Sequence, residues 1–182
     1  MLNKTICIFF LFCIAASLAL FGCAPITGES TVWIDDGVSF ADYQAFEIHP
    51  VSNVTGKTFN INISSILTEY LKEQLEDKYL PINYFSKSKR GILTVRSEIL
   101  VYEPYVGWPF WSQPTEKPVC VVRTRLTDET KSPLRVVAQI NTVVVAGNLG
   151  YYFSIDQEVF LQETAIEIAK EAVKIMQPIE LK

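Results

Sequence analysis

The chain has 182 residues, 49% hydrophobic and 20% charged, with 16 Lys and Arg against 20 Asp and Glu. This composition excludes wholesale disorder, collagen and coiled coil, and a net charge of −4 lacks the basic excess of a nucleic-acid binder. One His and four Cys leave little for zinc or for His-based catalysis.

The first 22 residues read as a leader. Lys4 gives a short positive start, and Thr5 to Phe21 carry no charge. A spanning helix needs about 20 apolar residues; this run is slightly short and has no basic stop signal behind it. It closes on Leu20-Phe21-Gly22-Cys23, which resembles the bacterial lipobox. There the Cys thiol is diacylglycerated, the leader is cut before it and the new N-terminus is acylated. Cleavage would fall between Gly22 and Cys23, with Phe21 replacing the usual small residue. A plain secretory signal or an uncleaved anchor is the bland alternative. The lipobox reading is preferred because charged start, apolar run, Gly-Cys pair and following turn residues agree.

Removing 22 residues leaves 160, with 15 basic and 20 acidic side chains. Several acyl chains on Cys23 would anchor the protein stably, where one would not. Ala24 after the Cys, by resemblance to Gram-negative lipoproteins, implies the outer membrane facing the periplasm. Cys7 and Cys13 leave with the leader, so Cys120 stands alone in a β-branched run and reads as a buried small hydrophobe.

Residues 23–40 are expected to be a lipidated tether, because Pro25, Gly28, Glu29, Ser30, Asp35, Asp36 and Gly37 are turn and solvation residues. Fully extended it would reach on the order of 50 Å. Residues 41–182 are expected to form one domain. A first strand is predicted over Asp42 to Pro50, with Phe46 and Ile48 on one face. Ile63, Ile66, Leu67, Tyr70, Leu71, Leu75 and Tyr79 recur at helical spacing. A short strand is predicted from Ile82 to Phe85.

Three longer strands follow. Over Ile92 to Tyr102, the set Leu93, Val95, Ile99 and Val101 is expected to be buried. Over Val119 to Thr127, it is Cys120, Val122, Thr124 and Leu126. Over Leu134 to Gly147, it is Val136, Ala138, Ile140 and Val144. Asp128 to Pro133 is a turn. Ser154 and Gln157 fit a capping box for a last helix whose buried stripe is Val159, Phe160, Ile166, Ala169, Val173 and Met176. The order β-α-β-β-β-β-α predicts an α+β two-layer sandwich: a mostly antiparallel sheet of about five strands with two helices on one face.

That order behind a lipobox resembles bacterial envelope lipoprotein families of unknown function. Their architecture is similar to the N-terminal domain of TolB, the curli-secretion lipoprotein and the penicillin-binding-protein activator lipoproteins. Leu126-Thr127-Asp128, Gly91-Ile92-Leu93-Thr94-Val95 and the helix from Ala165 to Ile175 carry the resemblance. It implies a non-enzymatic scaffold or interaction module with an envelope protein partner, and it supplies no catalytic residue.

The residues themselves point the same way. His49, the only His, sits beside Pro50 at a strand end, and no P-loop, GxGxxG, HExxH or CxxC is present. Asp35-Asp36 reads as solvated chain in place of a cation site, and spacing alone does not pair Glu47, Glu98 and Glu103. No enzyme activity, cofactor, metal or small-molecule ligand is expected. Arg96, Arg123, Arg125 and Arg135 are predicted to point the same way from neighbouring strands, with Glu98 among them. They form either a solvated face of cross-strand pairs or a docking surface for an acidic partner, including lipopolysaccharide or another acidic glycolipid. Tyr102 to Pro114 holds Trp108, Phe110 and Trp111 among three prolines. It reads as a long loop whose aromatics cover the core, contact a partner or meet the lipid interface.

Overall fold

The computed structural model describes residues 26–40, 43, 45–77, 91–104, 118–131, 133–146 and 156–176. Six strands and two helices are ordered along them: β1 (Ile26–Ile34), β2 (Ala45–Ile48), β3 (Ser52–Asn53), α1 (Ile63–Asp77), β4 (Ile92–Glu103), β5 (Val119–Asp128), β6 (Arg135–Ala146) and α2 (Gln157–Met176). The sheet runs β1-β6-β5-β4-β2, with β3 also on β4. β2 and β3 lie parallel to β4; the other pairs are antiparallel. This is the expected α+β sandwich, with two strands, β1 and β3, that the sequence reading does not contain. The predicted strand from Ile82 to Phe85 lies outside the described residues.

Strand β1 corrects the tether. Ile26 to Ile34 pair residue for residue with Ala146 to Ala138 along the sheet edge. The alternation Ile26, Ser30, Val32, Ile34 against Thr27, Glu29, Thr31, Trp33 is a strand pattern. Gly28, read as a turn residue, lies inside the strand: a Cβ there would stand 3.0 Å from Cγ of Glu167 on α2. Glycine therefore lets the helix approach the edge strand.

Both helices cover one face of the sheet. Leu67 and Leu71 of α1 and Phe160, Leu161, Ala165 and Ile168 of α2 pack with Ile99, Tyr102, Cys120, Val122 and Val144. A second cluster joins Leu75, Ala169 and Ala172 to Phe46, Leu93, Val95, Leu126, Val137, Ala138 and Ile140. Asn62 caps α1 by accepting from Ser65 N at 3.1 Å. Thr68 accepts from Val51 N at 2.9 Å, tying that helix to the chain between β2 and β3.

Three sequence expectations shift by one residue. A register shift between Ile99 and Val101 puts Tyr102, not Val101, into the core; Val101 is 37% exposed. A second shift in the β5–β6 pairing, past Leu126, puts Val137 into the core while Val136 is only partly buried. A bulge adds one residue and so reverses the inward phase beyond it. Helix α2 buries Phe160, Leu161, Thr164, Ala165, Ile168, Ala169 and Ala172, leaving Val159 exposed. The buried stripe is thus built partly from small residues that permit close packing. Asp156 provides its cap, accepting from Glu158 N at 2.9 Å; Ser154 lies outside the described residues.

Candidate functional site: the uncovered sheet face

The alternation that buries Leu93, Val95, Cys120, Val122, Ile140 and Val144 under the helices turns their neighbours onto the opposite face. No described element covers that face. Cross-strand pairing sorts it into rows. Arg96, Arg125, Gln139 and Trp33 form one, and Glu98, Arg123, Asn141 and Thr31 the next. Then come Val101, Val121, Val143 and Glu29, and last Glu103, Val119, Val145 and Thr27.

The charged rows form a paired network. Arg123 donates to Glu98 Oε2 from Nε at 2.9 Å and from Nη2 at 2.6 Å. Arg125 Nη1 reaches Glu98 Oε1 at 3.4 Å. Arg96 Nη2 donates to Glu129 Oε1 at 2.7 Å. Arg96 stands directly opposite Arg125, a like-charge pair that costs stability unless countered; Glu98 and Glu129 counter it. The Arg123 hydrogen bonds, helped by the Arg125 and Arg123 charges, hold the Glu98 carboxyl below its ordinary range against the opposing effect of burial. At this exposure each pair contributes roughly 0.2–1 kcal/mol. The network orders the face more than it stabilises the fold. Arg96 and Arg125, each with one side-chain contact in this network, keep donors for an acidic group, and the Arg125 contact is the longer.

Arg135 does not join the other three. The second register shift seats it opposite Asp128, out of phase with Arg123 and Arg125. There it donates to Asp35 Oδ2 from Nε at 2.8 Å. It lines a cleft of about 410 Å³ with Gly37, Val38, Tyr43, Asp128 and Thr130. Asp128 is buried and fully engaged: Oδ1 accepts from Thr130 N at 2.9 Å and Thr130 Oγ1 at 2.6 Å, and Oδ2 from Tyr43 at 2.8 Å. Burial alone would raise its pKa, but these bonds outweigh it and the carboxyl is lowered. Asp35 is lowered by the Gly37 amide and by Arg135. The carboxylates of this cleft are thus occupied by protein donors.

The remaining acidic candidates stand apart, each beside a different side chain. Glu47 lies 3.7 Å from His49, and Glu103 pairs with Lys57. Cys120 is fully buried, and burial pushes its thiol up to about 12. Gly22, Cys23, Trp108, Phe110 and Trp111 lie outside the described residues. Sequence reasoning missed Trp33, 53% exposed beside Gln139, and the valine rows. The period-two pattern of residues 26–34 was the available signal for Trp33; the bulge that turns Val101 outward leaves none.

Compared by sequence, the chain matches no protein-family model and no curated protein. Compared by structure, it aligns with the PelC dodecamer from Paraburkholderia phytofirmans at TM-score 0.53 and 9% identity, over 78% of this chain and 94% of that one. The chain shares its fold with PelC. A DUF4136 family protein from Bacteroides thetaiotaomicron aligns at 0.49 and 12% identity, over 82% of this chain and 97% of that one. A hypothetical protein from Chlamydia trachomatis aligns at 0.45 and 17% identity, over 73% and 95%.

Proposed function

We propose that this protein is a lipid-anchored envelope protein whose single α+β domain is a non-enzymatic interaction module, held at the outer membrane and facing the periplasm. The observation that carries the interaction reading is the uncovered sheet face, with Arg96, Arg125, Gln139 and exposed Trp33 in one cross-strand row. Arginine beside an exposed tryptophan is the composition of protein-binding hot spots. The Leu20 to Cys23 sequence behind an uncharged run supports the anchor. The resemblance to envelope lipoprotein modules supports the compartment. PelC, which has the same fold, is a dodecamer, and that supports a life in assemblies. An acidic glycolipid as the ligand of the same arginines is the weaker reading, because each arginine already holds a carboxylate.

The test is photo-crosslinking in membranes from probes placed at Trp33 and Arg123, with identification of the adducts. A discrete protein adduct from either position is expected. Lipid adducts alone would move the reading to the glycolipid carrier, and no adduct from either would remove the interaction module.

A further inference from the structure

The lower half of the uncovered face is apolar. Val101, Val119, Val121, Val143 and Val145 fill two adjacent rows on three strands, and Val101 and Val143 are 37% and 38% exposed. Polar groups frame the patch: Glu98, Arg123 and Asn141 on one side, Glu29 and Thr27 on β1, and Glu103 on β4. An apolar patch with a polar rim marks an interaction site.

Chain length limits how far the proposed anchor lies from it. Ile26, the first residue of β1, pairs with Ala146, at the same end of the sheet as Val119 and Val145. Only Ala24 and Pro25 separate it from Cys23. Three backbone steps span at most about 11 Å. Resting on the proposed acylation of Cys23, this linkage brings the valine end of the sheet to the headgroup region. The Arg96–Arg125 row is four residues further along β6, about 14 Å away along the strand, and the tilt leaves it in water for a protein partner.

We propose that the valine rows dock on the surface of the bilayer in which Cys23 is anchored, so that the domain stands on the membrane at a fixed tilt. The anchor supplies proximity, and the valines fix orientation by leaving water for the interface.

The test uses the processed, acylated full chain in phosphatidylethanolamine–phosphatidylglycerol vesicles, with mass spectrometry of Cys23 on the same sample. An environment-sensitive fluorophore is placed on Val143→Cys, on Val101→Cys and, at the far end of β6, on Leu134→Cys; buried Cys120 does not compete for label. The expected result is blue-shifted emission at positions 143 and 101. Most of that intensity should be lost to lipid carrying a nitroxide near the headgroup, with no change at 134. Water-like emission at 143 and 101 on a chain acylated at Cys23 overturns the docking and leaves the anchor standing. Shielding that nitroxide lipid does not quench assigns the patch to a protein contact and overturns it too. An unmodified Cys23 overturns the anchor, and the docking with it.

Discussion

Glu98 on β4 stands opposite Arg123 on β5, and its Oε2 accepts both Nε and Nη2 of that guanidinium. The same carboxyl meets Arg125 through its other oxygen. One acid therefore separates two arginines on the open face. Its loss is expected to leave adjacent cations uncompensated. Glu98→Gln should cost about 1 kcal/mol, read as a lower urea midpoint at low salt. The difference should shrink in high salt, because these groups are partly exposed.

Acid sensitivity follows from the same carboxylates. Glu98 and Asp128 are held below their ordinary values of 4.5 and 3.8 in the folded chain. The unfolded chain therefore binds more protons in the acid range. Their stabilisation is fully present above the unfolded values and is lost as pH falls through the lower folded ones. Urea midpoints should be flat near neutrality and drop below about pH 4.5. The double variant Glu98→Gln, Asp128→Asn should start less stable and show a shallower drop.

Tyr102 is 1% exposed, and its hydroxyl has no hydrogen-bond partner among the described residues. Burial raises its pKa well above the ordinary value, so the phenol stays neutral. The ring itself packs edge-on against Phe59 at 5.0 Å between centroids. Tyr102→Phe keeps that packing and removes an unpaired polar atom. It should be neutral or stabilising by about 1 kcal/mol, whereas Tyr102→Ala should cost about 3–5 kcal/mol. Chemical denaturation of the two variants side by side checks both signs.

Cys120 has no exposed surface, and its thiol is pushed far above the pH at which alkylating reagents work. In the native protein Cys120 should resist iodoacetamide at neutral pH and react fully once the chain is unfolded. The slow native rate then reports how often the core opens. Alkylation of Cys120 as fast as a free thiol would contradict this core.

Asp156 caps α2, whose first turn brings Phe160 under the sheet. Asp156→Ala should cost about 1 kcal/mol, seen as a lower Tm. Asp156→Asn should recover most of it, since the amide oxygen still accepts the hydrogen bond.

Periodicity was enough to read α1, β4, β5, β6 and α2 to within a few residues, because over most of its length each buries one side more than the other. It failed where one inserted residue reverses the pattern. Val101 and Tyr102 exchange roles across one bulge, and Arg135 is moved out of phase by another. Nothing local marks a bulge when both candidates are apolar. The edge strand was missed for a different reason. Gly28 and the flanking Asp35-Asp36-Gly37 carry turn composition, and the strand exists only through β6. Of the candidate site, the Arg96, Arg123, Arg125 and Glu98 grouping was legible from alternation alone. Their pairing with Glu129 and the neighbourhood of Trp33 depend on chain segments far apart in sequence.

The pairing of Ile26 with Ala146 has a consequence for how the molecule comes to exist. The strand synthesised first can be placed only after the last strand of the sheet has been made. Until then its apolar residues have no partner in the chain, and closing so long a loop is slow. The first strand must therefore remain unpaired until β6 is available to receive it. Completion of the sheet is a late event that joins the two ends of the domain.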